Sequence, residues 1–364
     1  MIRLGKAFAG KLENPMDDAL QQLIRDAFRE EATDVFLIED ESPRIRLEGS
    51  VVELHPGPVP RFGMEEFWKE CGVDHEAEKE ADISWQLPEG KRLRVNLYHT
   101  LGRLAAVLRP IRDDIPDLTK LAMPAELLES WMRRGNGLVL VTGPTGSGKS
   151  TTVAACLNWI NVNQARHIVT LEDPIEFLFK NEESLFSQRE VRLDSASFSS
   201  GLRAAMRQSP DVLFIGEIRD QETALTALHA AETGHLVIST MHSGGVVETI
   251  DRFIHLLGNE VEGGVHLLAA QLVGVISQNL LPKFGGGLFP ALEYFQNEAG
   301  SRRWIIEKRM ADLQDHINKS DGTKNCSSLD YLVASVKQNY LELDVARDAC
   351  SRPQDLDRAM RGIS

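Results

Sequence analysis

The spacing of apolar positions changes character along the chain. Over Asp17–Glu31, Leu20, Leu23, Ile24 and Phe28 recur at helical intervals and predict an amphipathic helix. Short apolar-polar runs follow at Asp34–Ile38, Arg44–Leu47, Ile83–Leu87, Arg92–Tyr98 and Leu104–Leu108, with a second helix predicted over Met64–Cys71. Strands and helices mixed in this way predict a small α+β domain with an antiparallel sheet. Pro110–Pro124 holds three prolines and several charges and reads as a linker. From Ala125 the pattern shifts. Apolar runs at Leu138–Val141, His167–Leu171, Val212–Ile215 and Leu236–Thr240 alternate with helical stretches, as in a parallel α/β sheet carrying its chemistry at the strand ends. Gly285-Gly286-Gly287 reads as hinge-like punctuation, and beyond about Phe295 the chain turns helical and polar. The predicted organisation is an N-terminal α+β domain over 1–112, a linker over 113–124 and an α/β domain with a helical tail over 125–364.

At 364 residues the chain is comfortable as two domains, each able to bury a core without staples. Four scattered cysteines form no C-x-x-C pair, which argues against a zinc ribbon or a disulfide framework and for a reducing, cytoplasmic setting. No signal-like segment stands at the start. The longest apolar candidate for a membrane span, around Leu267–Leu281, is broken by Gln271, Ser277, Gln278 and Asn279. A net charge of −14 repels nucleic acid, so no nucleic-acid partner is expected.

The chemistry begins at Gly143-Pro144-Thr145-Gly146-Ser147-Gly148-Lys149-Ser150, a complete G-x-x-x-x-G-K-[ST] loop between a predicted strand and a helix starting at Thr151. Glycines let backbone N–H groups close around phosphate oxygens, and the helix N-terminus adds positive partial charge. Lys149 is expected on the β- and γ-phosphates, and the Ser150 hydroxyl on Mg²⁺. The bland alternative, a glycine turn that only joins strand to helix, does not account for the full pattern. ATP and Mg²⁺ are the expected ligands.

Three more strand ends follow. Thr170–Phe177 crowds Glu172, Asp173 and Glu176 at a strand exit, where a cation or water would organise them; a solvated acidic loop is the plain alternative. Val212–Ile215 ends in Gly216-Glu217, the pattern of a Walker B carboxylate that holds magnesium or its water shell. Thr233–Ser243 sets His235 and His242 on either side of a buried strand. A histidine beside a γ-phosphate can report its presence, whereas capping or packing is the ordinary role for such a pair. His229, His235 and His242 lack a carboxylate or cysteine at ligand spacing and suggest no metal site.

In order and spacing these segments resemble the secretion-superfamily ATPases of type II secretion and type IV pili. Gly143–Ser150 is similar to that family's Walker A, Leu171–Phe177 to its Asp box, Ile215–Asp220 to its Walker B and Thr233–Ser243 to its His box. Ser187–Val191 and Ala230–His235 add to the match, which covers about Arg92 to Tyr294. Within the superfamily the resemblance is nearest to the pilus retraction members, because the sequence carries neither a long extra N-terminal domain nor a four-cysteine zinc module. It implies a RecA-like ATPase domain preceded by a small PAS-like domain. Glu176 would be the catalytic glutamate that polarises water, which the residues alone do not distinguish from Glu172 or Glu217. Glu217 would organise magnesium, and His235 and His242 would sense the nucleotide. Arg94 and Arg109 would bring charge to the phosphates. The family also implies a homo-hexameric ring motor, a docking partner in an inner-membrane pilus platform protein, and paralogous motor ATPases as further partners. Ser301–Ile306 keeps an arginine but departs from the motif of the retraction members in that region, and the tail from Gly322 matches poorly. Rival readings are the energising ATPase of a conjugation-type or Dot/Icm-like secretion system, a RecA-like nucleic-acid motor, and a non-hydrolytic regulator.

Overall fold

A computed structural model describes residues 16–362 except 31, 48, 55–56, 88–89, 259–262 and 320–321. It divides into two compact units, one of residues 1–112 with Pro174–Glu176, the other of Asp113–Asp173 with 177–364. The stretch expected to be a linker belongs to the second unit. Leu118, in a short 3₁₀ turn over Leu118–Leu121, is buried in that unit's core, and Asp117 caps the turn by accepting from the Thr119 N–H.

In the first unit, α1 (Met16–Arg29) is followed by β1 (Asp34–Ile38), β2 (Arg44–Leu47), β3 (Ser50–Glu53), α2 (Arg61–Glu70), β4 (Glu80–Gln86), β5 (Arg92–Thr100) and β6 (Arg103–Pro110). Glu31, the expected end of the first helix, lies outside the described residues. The strands form one antiparallel sheet in the order β3-β2-β1-β6-β5-β4. Alternation does the sorting. Val35, Leu37, Leu93, Val95, Leu97, Ala106 and Leu108 turn to one face and pack with Ile24 and Phe28 of α1 and Phe67 and Trp68 of α2. Arg94 and Arg109, at paired register positions, fall in the other set.

The second unit runs α3 (Ala125–Met132), β7 (Gly137–Thr142), α4 (Lys149–Asn163), β8 (His167–Glu172), β9 (Leu185–Glu190), α5 (Phe198–Ala205), β10 (Val212–Ile215), α6 (Gln221–Glu232), β11 (Leu236–Met241), α7 (Val246–Leu257), α8 (Gly264–Gln271), β12 (Leu272–Pro282), β13 (Leu288–Gln296), α9 (Ala299–Ile306), α10 (Met310–Asn318), β14 (Asn325–Cys326), α11 (Ser328–Lys337), α12 (Leu343–Ala349) and α13 (Pro353–Met360). Its eight-stranded sheet has the order β14-β13-β12-β7-β11-β10-β8-β9. Strands from β12 through β9 are parallel, β13 is antiparallel to β12, and β14 is antiparallel to β13. The four strands foreseen are buried on both faces, as continuous apolar runs require. Leu138, Leu140, Val169 and Leu213 pack with α5 to α8, and Val139, Val141, Ile168 and Phe214 with α3 and α4.

Two features differ from the expectation. The long apolar run splits into α8 and β12, and β12 turns back into β13. Gly285–Gly287 forms the turn of that hairpin: all three glycines take positive φ, and the Lys283 N–H donates to the Gly287 carbonyl at 3.0 Å. Edge strand β9 was also unforeseen, because Ser187, Gln188 and Arg189 dilute its apolar signal.

Candidate active site

The phosphate loop leaves the end of β7 and enters α4 with glycines where the backbone needs them. Gly148 sits at φ 86° immediately before the helix, a conformation L side chains rarely adopt. A Cβ on Gly143 would stand 2.1 Å from the Gln278 carbonyl oxygen and 2.6 Å from Ser147 Oγ. The Lys149 ammonium donates to the carbonyls of Gly143 and Pro144, each at 2.9 Å, so it lies folded over the loop it would share with phosphate. Ser147 Oγ is fully buried without a hydrogen-bond partner. Pro144, Thr145 and Gly146 are exposed, and Ser150 and Thr151 are half-buried on the first turn of α4.

Beside the loop, β10 ends between β8 and β11. The Gly216 N–H donates to the Leu171 carbonyl at 2.7 Å, and Thr240 Oγ1 donates to the Gly216 carbonyl at 2.6 Å. This turn delivers Glu217, whose side chain is 14% exposed and pairs with Arg219 at 2.6 Å. His242 Nε2 lies 3.7 Å from the same carboxylate. Partial burial, with Lys149 next, holds the His242 imidazole below its ordinary pKa, while Glu217 pulls the other way. A neutral ring results, able to donate one hydrogen bond to an incoming oxyanion.

His235 is elsewhere. It precedes β11, where the Gly137 N–H bonds its carbonyl and Ala230 engages its ring. Six strand residues separate it from His242, roughly 20 Å at the usual rise. The two histidines flank β11, as the sequence predicts: His242 stands beside Glu217, and His235 lies at the other end of the strand.

The three carboxylates of the acidic segment also part. Glu172 is buried, accepts from Thr170 Oγ1 at 2.7 Å and from Gln188 Nε2 at 3.4 Å. Asp173 pairs with Arg192 at 3.7 Å. Glu176 is exposed, with its carbonyl accepting from the Arg112 N–H at 3.2 Å. In the first unit Arg94 pairs with Asp82 at 3.2 Å, and Arg109 makes two bonds to Asp34, at 2.6 and 2.9 Å.

Two contributors escaped the sequence reading. Gln278 of β12 donates from Nε2 to the Ser147 carbonyl at 2.6 Å, pinning the phosphate loop from the neighbouring strand. Its signal was present as a polar interruption of an apolar run. A hydroxyl chain links Ser243, Thr249 and Thr142, with Thr249 Oγ1 at 2.6 Å from Ser243 and 3.1 Å from Thr142. No local pattern marks that chain.

Residues 11–350 match the family described as type II/IV secretion system protein. The chain belongs to this secretion ATPase family. It is 35% identical to the type IV pilus retraction ATPase PilT of Pseudomonas aeruginosa over 92% of its own length and 99% of that protein's. A crystal structure of the pilus retraction motor PilT with bound ADP superposes with a TM-score of 0.85 at 36% identity, covering 93% of this chain and 99% of that one. The Legionella pneumophila ATPase DotB reaches a TM-score of 0.83 at 23% identity over 93% of this chain and 97% of its own, a likeness of fold. The family member described here is a P-loop ATPase with an N-terminal domain ahead of its ATPase domain. Among its described residues, no helix is long and apolar enough to cross a membrane.

The residues fit a magnesium nucleotide. Among those described, no group of three or more His, Cys, Asp and Glu stands ready to hold a metal by itself. Magnesium commonly keeps several waters and takes one or two protein oxygens alongside phosphates, which suits Ser150 and Glu217.

Proposed function

We propose that this ATPase is a Mg²⁺-dependent, homo-hexameric ring motor that powers type IV pilus retraction by removing pilin. It would work in the cytoplasm, docked to an inner-membrane platform protein and alongside paralogous motor ATPases. The observation that carries this reading is likeness to PilT along almost the whole of both chains, at the level of sequence and of fold.

In this reading the loop N–H groups and Lys149 hold the phosphates, and Lys149 exchanges its two carbonyl partners for phosphate oxygens. Ser150 and Glu217 would hold magnesium, which would supply neutralising charge at the phosphates. Glu176 takes the proton of the attacking water; its exposed carboxylate supports that choice over Glu172, which is buried and bonded to Thr170. His242 donates to the γ-phosphate and senses its loss. Arg94 and Arg109 add positive charge that stabilises the transition state.

Deleting the gene tests the biological role: assembled pili that no longer retract are expected, and loss of protein secretion with retraction intact would sink the proposal. For the chemistry, Lys149→Ala is expected to fold and to lose ATP turnover, and turnover by the wild type is expected to stop when EDTA removes magnesium.

A further inference from the structure

We infer that Glu293 is a positioning residue for the ATPase reaction: its carboxylate, reaching from β13, caps α7 and thereby sets where His242 stands beside Glu217. This rests on His242 acting at the nucleotide, as proposed above.

Helix α7 has no side-chain cap of its own, because the residue before it is Gly245. Glu293 Oε2 supplies the missing acceptor and takes the Val246 N–H at 2.7 Å. An ionised carboxylate at a helix N-terminus meets both an orphan donor and the positive end of the dipole. Gly245 is what leaves room for it, since a Cβ there would lie 2.8 Å from Glu293 Oε2. Residue 245 is extended at φ −167°, so the glycine is needed for space and not for backbone freedom. The other carboxylate oxygen accepts from Gln314 Nε2 of α10 at 3.3 Å.

What hangs from the capped end is the loop carrying His242. Glu248 of α7 accepts from the Gly244 N–H at 2.9 Å, Thr249 bonds Ser243 at 2.6 Å, and Arg252 donates to the His242 carbonyl at 2.6 Å. The loop therefore moves with the first turns of α7. Those turns are tied to β7 by the bond from Thr249 to Thr142 and to β13 by Glu293. Release of the second tie lets the helix end and His242 swing together. Burial pushes the Glu293 pKa up, and its bonds from Val246 and Gln314 act against that rise.

The test is a set of full-length variants assayed for ATP turnover. His242→Ala is expected to lower kcat by about 10-fold or more, the scale of a hydrogen bond to a charged group. Glu293→Ala should lower kcat by about 10-fold while the KM for ATP stays within about 2-fold, since the loss falls on the transition state. Glu293→Gln keeps an acceptor oxygen and should stay within about 3-fold of wild type. Gly245→Ala displaces the carboxylate without altering it and should reproduce the Glu293→Ala defect, so the inference remains testable if Glu293→Ala fails to fold. The deciding measurement is the double variant: with His242→Ala present, Glu293→Ala or Gly245→Ala should cost no further activity. Multiplying losses, or a Glu293→Gln variant as slow as Glu293→Ala, would overturn the positioning role while leaving His242 in place. Wild-type turnover in His242→Ala would instead remove His242 from the reaction, and this inference with it.

Discussion

Gln278 and Ser147 lie 131 positions apart in sequence and are joined by a 2.6 Å hydrogen bond from the glutamine amide to the serine carbonyl. The bond crosses from β12 to the phosphate loop at its tightest point, where the Gln278 carbonyl already fills the space a Gly143 side chain would need. Gln278→Leu is expected to weaken ATP binding by about 10-fold, since a buried carbonyl loses its partner and the loop its tether. Fluorescent-nucleotide titration measures this. Unchanged affinity would show that the loop holds its shape without β12.

The two glutamates of the acidic segment should behave differently. Glu176→Gln keeps shape and loses the basic oxygen, so hydrolysis should slow by on the order of 10²-fold while ATP still binds. Glu172→Gln disturbs a buried acceptor bonded to Thr170 and should lower the melting temperature first. Single-turnover hydrolysis and thermal melts on both variants separate the roles. Normal hydrolysis by Glu176→Gln would transfer the base to another carboxylate.

Arginines 94 and 109 offer a similar contrast. The Arg94–Asp82 pair is half-exposed on both sides, and such pairs contribute little to stability. Arg94→Ala should leave the melting temperature within a few degrees yet lower turnover more than ATP affinity. Arg109 instead grips Asp34, whose side chain is only 5% exposed and has Arg46 at 3.2 Å as its other cation. Arg109→Ala should therefore destabilise the first unit as well. If Arg94→Ala turns over ATP at the wild-type rate, that arginine has no part in the reaction.

Glu293 predicts a pH signature in stability. Burial raises its folded pKa above the ordinary 4.5, against the lowering effect of its bonds from Val246 and Gln314. A carboxyl raised on folding favours the folded state at low pH and loses that contribution as pH climbs through 4.5 toward the folded value. Glu293→Gln lacks this term. Its melting temperature should equal or exceed that of wild type near neutral pH, and the gap should close below about pH 4.5. A gap that widens in acid would contradict the assigned direction.

Adjacent residues were enough to write the phosphate loop, its strand and its helix, since glycine conformations and buried apolar runs are local properties. Glu217 was legible for the same reason, as the end of an apolar strand. So was the α/β class, because the sheet's parallel strands repeat one short signal. His235 marks the limit of motif reading: it flanks the same buried strand as His242, and only the fold shows that His242 is the one beside Glu217. What tertiary structure alone decided is which distant strands flank β7. That order sets Gln278 against Ser147 and Thr249 beside Thr142, and the hairpin after β12 carries Glu293 to the end of α7. Strand order is fixed by the packing of whole faces, where many small burial terms sum, and no single residue records it. A polar side chain therefore acquires its role only once folding has chosen its neighbours.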